Sequence, residues 1–161
     1  MLARLFPRAL TNTYLGSWVA VWLVVPVLIV KTLIGFNFSG LNPFVSVAGI
    51  LESVDGVPLS SFSAEAADQV ISSATAWGMA MFALCLMVWL VLVRYRAGLP
   101  AAILVVLIEQ LGRMGPGLVR AIGEIATGTP SLGTSTLINL AMAVSLIGGF
   151  MLSLVAVRRK T

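Results

Sequence analysis

The sequence predicts an all-α membrane protein: a four-transmembrane-helix bundle with a short amphipathic helix in the outer loop. Three observations carry this. Of the 161 residues, 59% are hydrophobic and only 10% are charged, against about 25% charged in a soluble domain. So few charges cannot cover a water-facing surface, and so apolar a chain is not a disordered one. Four windows each supply the roughly 20 apolar residues that crossing a bilayer requires. The charges between those windows sort by sign. Positions 1–161 read as one domain, with spans near 14–36, 70–93, 100–125 and 135–157.

The first span, Tyr14–Phe36, follows Arg4 and Arg8. Its apolar run exceeds the ~7–15 residues of a signal-peptide core, and no small-residue cleavage pattern follows, so it reads as a retained helix. Pro26 inside it is expected to kink it. The outer loop, 37–69, holds Glu52, Asp55, Glu65 and Asp68 and no base. Asn42-Pro43 reads as a cap and first turn, placing a short helix from Pro43 to about Ser53. Phe44, Val47, Ile50 and Leu51 would form its apolar face, lying on the outer membrane surface or capping the bundle. Asp55-Gly56 and Val57-Pro58 signal a turn. Ser63 can cap an outward continuation of the second helix.

The second span, Val70–Val93, ends at Arg94 and Arg96, with Gly98 as an expected left-handed cap. Pro100 suits the first turn of the third span, Pro100–Ile125. Pro130 lies in the turn-rich connection to the fourth span, Ser135–Val157, which Ser135 can cap and which Arg158, Arg159 and Lys160 follow. Every inner segment is basic and the outer loop is acidic. The positive-inside rule therefore places both termini in the cytoplasm and 37–69 outside.

The third helix holds four of the five remaining charges: Glu109, Arg113, Arg120 and Glu124. Lys31 is the fifth. A charge at mid-bilayer costs about 2.5–3.5 kcal/mol on insertion scales, so such groups face the bundle interior and pair. At 100° per residue, all four fall within about 60° of one another. Gly112, Pro116 and Gly123 share that side, while Leu104, Leu107, Leu111, Leu118, Ile122 and Ile125 take the other. The polar face is expected to look inward. Glu109–Arg113 and Arg120–Glu124 have the i,i+4 spacing of helical ion pairs. Lys31 either reaches the level of Glu124 or snorkels to the headgroups. Gly112, Gly115, Pro116 and Gly117 are expected to break or bend the helix between the two pairs. The face is then either a packed, self-neutralised seam or a polar pocket for a zwitterionic or anionic ligand.

Ala141, Ser145 and Gly149 on the fourth helix, and Ala76 and Ala80 on the second, have the spacing of close-packing seams. Asn139, Ser72 and Thr75 suit interhelical hydrogen bonds. Trp18, Trp89 and Tyr95 fit an inner aromatic belt and Trp77 an outer one. Cys85 reads as a small buried apolar residue.

With no His and a single Cys, imidazole-based catalysis and His- or Cys-built metal, haem or chlorin sites are excluded. No metal or cofactor is expected, although a bound lipid is compatible with the spans. The net charge of +4 reads as anchoring to anionic lipid, and no nucleic-acid partner is expected.

The run Arg120-Ala-Ile-Gly-Glu-Ile-Ala-Thr-Gly128-Thr-Pro130-Ser131 and the apolar helix after it resemble a family of small four-helix bacterial inner-membrane proteins of unknown function. Arg120 and Gly128-Thr129-Pro130 match its third-helix Arg and Gly-x-Pro turn. Asn139 stands near the family's fourth-helix acid, and Trp77-Gly78 where the family has a tyrosine–glycine pair. The outer loop is longer here. The resemblance covers about half the chain. It implies the four-helix architecture and a bacterial cytoplasmic membrane, and no activity.

Small size, the lack of a catalytic constellation and the small-residue seams point to a non-enzymatic accessory, assembly or structural subunit of a larger membrane complex, or to a homo-oligomer. The alternative is a small-molecule, lipid or quinone-type binding or transport module built on the third-helix polar face. An intramembrane enzyme would have only Glu109 as its acid–base.

Overall fold

The computed structural model describes residues 5, 7, 9, 11–126 and 134–155, with the side chains of 116–126, 134 and 135 excepted. Among the described residues the chain is all-helical. Four long helices and one short one follow in order: α1 (Trp18–Phe38), α2 (Val47–Ser53), α3 (Ala64–Arg94), α4 (Leu99–Ala126) and α5 (Thr134–Leu154). Single 3-10 turns occupy Leu59–Ser61 and Arg96–Gly98. The four long helices are long and apolar enough to cross a membrane.

Local chemistry sets the ends. α1 starts at Trp18 rather than Tyr14 because the Ser17 hydroxyl accepts from the Val19 N–H at 3.3 Å, the bond of an N-cap. The helix runs unbroken through Pro26. α3 begins six residues before the expected Val70, under the predicted Ser63 cap, whose hydroxyl accepts from Ala66 N–H at 3.3 Å. Its 31 residues measure about 46 Å at 1.5 Å per residue.

Two expectations about ends are corrected. Asn42 does not start the loop helix. Its Oδ1 accepts from Phe44 N–H at 2.9 Å and its amide reaches back to Asn37 at 2.8 Å, so the side chain serves a local turn. Ser46 caps α2 instead, accepting from Gly49 N–H at 3.1 Å. Gly98 is not left-handed; the glycines with positive φ among the described residues are Gly40 and Gly56. A 3-10 turn over Arg96–Gly98 leads directly into α4, so no reversing cap is needed. Gly56 does take the turn conformation expected of Asp55-Gly56, at φ 66°.

The chain divides into two compact units, 28–87 and the remainder. In the unit Leu28–Met87, α1 and α3 cross at two glycines. A Cβ on Gly35 would lie 2.8 Å from the Phe82 backbone nitrogen, and one on Gly78 would collide with the Phe38 backbone. Only hydrogen fits at either point. The rings of Phe36 and Phe82 (5.7 Å) and of Phe38 and Trp77 (5.4 Å) flank the crossing. Val47, Leu51 and Leu59 form a buried cluster with Phe38, Val70 and Ile71. α2 thus caps the end of this unit. Phe44, expected on its apolar face, is instead 92% exposed. The Ala76–Ala80 seam is also not used here, since neither alanine is buried.

In the other unit, α4 and α5 pack against each other. Gly149 of α5 lies against Val24 and the Ala20 carbonyl of α1. Leu99, Ile103, Val106 and Gln110 repeat at helical spacing and form the buried stripe of α4. The helical backbone of α4 continues without interruption through Gly112, Gly115, Pro116 and Gly117, so these residues do not break it.

Candidate functional site

The polar cluster lies where α4 meets α5. The buried stripe of Leu99, Ile103, Val106 and Gln110 is centred roughly 60–100° around α4 from Glu109, by the 100° rule. At Glu109 and Arg113 the charged face therefore lies at the edge of the buried face rather than at its centre. Leu107, expected on the outward side, is buried, while Leu111 is exposed. At that edge the side chains of Arg113 and Glu109 keep 28% and 21% exposure.

The predicted Glu109–Arg113 pair is present, with Arg113 Nε 3.6 Å from Glu109 Oε1. That separation is ionic rather than a hydrogen bond. The shorter contacts run to neutral amides. Arg113 Nη2 donates to Asn139 Oδ1 at 2.7 Å and to Gln110 Oε1 at 3.0 Å. Gln110 Nε2 in turn donates to the Asn139 carbonyl at 3.1 Å and to its Oδ1 at 3.3 Å. Gln110, Arg113 and Asn139 thus close a ring of hydrogen bonds linking the two helices. Gln110 is fully buried, so an unmade bond there would carry its whole desolvation cost, and the ring removes that cost.

Asn139 is thus brought into the site as expected. Gln110, its most buried member, escapes a reading of the sequence by charge because it carries none. The available signal is its spacing: it continues the Leu99–Ile103–Val106 repeat as the one polar residue in it. Lys31 is fully buried and engaged with a partner, so it does not snorkel; it lies in the 28–87 unit. The side chains of Arg120, Glu124, Pro116 and Gly117 lie outside the described residues. Among the described residues, nothing fills the space where a Cβ on Gly112 or Gly115 would be. Of the α5 seam, Ala141 is exposed, Ser145 half-buried and Gly149 buried against α1. Thr75 turns back on its own helix, donating to the Ile71 carbonyl at 2.8 Å, and Ser72 is exposed. Among the described residues neither bridges helices, because a helical Thr satisfies its hydroxyl more readily on the preceding turn. Cys85 is buried.

Chemically, the ring holds Arg113 in place. Glu109 offsets its charge. Two cavities lie elsewhere in the same unit, of about 70 and 480 Å³, lined by Thr13–Gly16 together with Ala97 and Ser153 or with Arg96. Neither is lined by Glu109 or Arg113. Tyr14, just ahead of α1, donates to the Ser17 carbonyl at 3.1 Å, and burial pushes its phenol up to about 12.

Set against family models, curated proteins and solved structures, the chain matches none.

Proposed function

We propose that the protein is a non-catalytic integral membrane subunit that accompanies a larger membrane protein complex. The observation that carries this reading is the closed ring of Gln110, Arg113 and Asn139, offset by Glu109. Gln110 and Arg113 of the third long helix and Asn139 of the fourth hold those two helices together. Around them, the membrane-length windows bury only 22–39% of their residues within the chain, which leaves wide apolar flanks for lipid and partner helices. The resemblance to small four-helix bacterial inner-membrane proteins agrees with this size and architecture. Both termini would lie in the cytoplasm and the acidic loop outside.

Mild-detergent purification from native membranes, followed by native mass measurement and identification of the subunits, tests the reading. The expected result is a complex of fixed stoichiometry with other membrane proteins, retained when Glu109→Gln is introduced. A chain that runs alone as a monomer overturns it. If Glu109→Gln and Arg113→Gln both leave the chain folded yet abolish uptake or binding of a small ligand, the reading passes to a transport or quinone- or lipid-binding module.

A further inference from the structure

The recess ahead of α1 contains an arginine that is held at one end and, among the described residues, is open at the other. Residues 11–17 form a non-helical strap. Ala97 N–H donates to the Thr11 carbonyl at 3.1 Å, and Ser17 N–H to the Leu152 carbonyl at 3.3 Å. These bonds pin the strap to the 3-10 turn that precedes α4 and to the end of α5. Gly16 permits it, since a Cβ there would meet the Ser153 carbonyl and the Tyr14 ring. The strap, the first residues of α1 and Arg96 line the half-open cavity of about 480 Å³, within the size range of small-ligand sites.

Arg96 Nε donates to the Leu92 carbonyl at 3.0 Å, and its guanidinium carbon lies 5.4 Å from the Trp18 ring centroid. The backbone bond and the ring fix its position. Its terminal nitrogens carry four of the five guanidinium N–H groups, and among the described residues they make no other hydrogen bond or ion pair. No acidic residue is among the described residues that line either cavity. Asn12 and Thr13 add neutral donors, and the Ser17 hydroxyl, an acceptor toward Val19, keeps its own proton to give. Leu15, Trp18 and Val19 line the remainder and are 60%, 48% and 55% exposed, with Trp22 one turn further at 75%. The recess is therefore cationic and donor-rich at Arg96 and apolar along the start of α1.

We propose that this recess binds an anionic phospholipid, with the headgroup phosphate on the Arg96 guanidinium and the strap donors, and the acyl chain along Trp18 and Trp22. Arginine suits this task because its planar fork matches phosphate oxygens. A positive charge without an acidic neighbour selects net-anionic headgroups over zwitterionic ones. The site is separate from the Gln110–Arg113–Asn139 ring and does not depend on the accessory-subunit reading.

The test is native mass spectrometry of the full chain in detergent, titrated with phosphatidylglycerol, with phosphatidylcholine and with inorganic phosphate alone. Phosphatidylglycerol is expected to be retained in preference to phosphatidylcholine, with Arg96→Gln weakening retention about tenfold, the usual scale for one charge-assisted contact. Asn12→Asp, which puts a carboxylate in the recess without touching the Arg96–Leu92 bond, should weaken it comparably. Circular dichroism of both variants checks that the helices persist. Equal retention of phosphatidylglycerol by wild type and both folded variants overturns the proposal, as does equal retention of the two lipids. Displacement of phosphatidylglycerol by inorganic phosphate overturns the lipid as the occupant.

Discussion

At the scale of single residues, the interhelical ring converges on one atom. Asn139 Oδ1 accepts from both Arg113 and Gln110. Asn139→Ala removes that acceptor from a buried amide and a guanidinium together, so destabilisation of about 1–2 kcal/mol is expected, read as a lowered thermal midpoint in detergent. Asn139→Asp preserves an oxygen acceptor for both donors and should lose less than Asn139→Ala. Equal loss in the two variants would show that the ring is not what holds Asn139. Tyr14 supplies a pH dependence. Its folded pKa is raised from 10.0 to about 12 by burial, so the folded state holds its proton more tightly than the unfolded one. The associated stability is complete below pH 10 and declines as pH rises toward 12. A tyrosinate absorbance titration of wild type against Tyr14→Phe should show the missing transition near 12, and one near 10 would refute the desolvation. The charges of this site are legible in the sequence because a charge in an apolar helix stands out. Gln110 is not, because a neutral amide has to be read through its register with Ile103 and Val106.

Among the elements, glycine separates into two populations that the sequence alone does not distinguish. Gly35 and Gly78 lie where α1 and α3 approach backbone to backbone. Gly35→Ala and Gly78→Ala must push backbone rather than a flexible side chain, and each should cost about 1–3 kcal/mol. At Gly112 and Gly115, beyond the local backbone of α4 itself, no atom of the described residues lies within 4 Å of where a Cβ would stand. There, alanine removes the backbone-entropy penalty of glycine in a helix and should stabilise the isolated chain by about 0.5–1 kcal/mol. Thermal unfolding of the four variants in one detergent decides this, and a loss at Gly112→Ala would reveal a contact the chain does not make by itself. Helix existence is legible from apolar run length. Helix ends follow capping chemistry where one polar side chain has one available N–H, as at Ser63. They depart from expectation where two side chains compete, as Asn42 and Ser46 do before α2. The orientation of α4 is not legible from its charges, because they mark the edge of its buried face, whose centre is set by packing against α5.

For the whole molecule, the distribution of charge decides how the four membrane-length helices would thread a bilayer. Arg94 and Arg96 stand between α3 and α4, while Glu52, Asp55, Glu65 and Asp68 stand between α1 and the first apolar turn of α3 without a base. Basic residues in short loops are retained on the cytoplasmic side, so under the proposed topology the α1–α3 connection would lie outside and the chain ends inside. Phe44 provides a direct probe because it is 92% exposed and makes no part of the α2 core. In a Cys85→Ala background, which removes the buried native thiol, Phe44→Cys should react with a membrane-impermeant maleimide in cells whose outer surface is accessible. Thr161→Cys should react only after the membrane is opened. Reversing the loop signs, with Arg94→Glu against Glu52→Lys and Asp55→Lys, should shift part of the population to the opposite labelling pattern, because the bias depends on where lysine and arginine lie. Labelling of Phe44→Cys only after permeabilisation, in the chain with its native charges, would overturn the proposed topology.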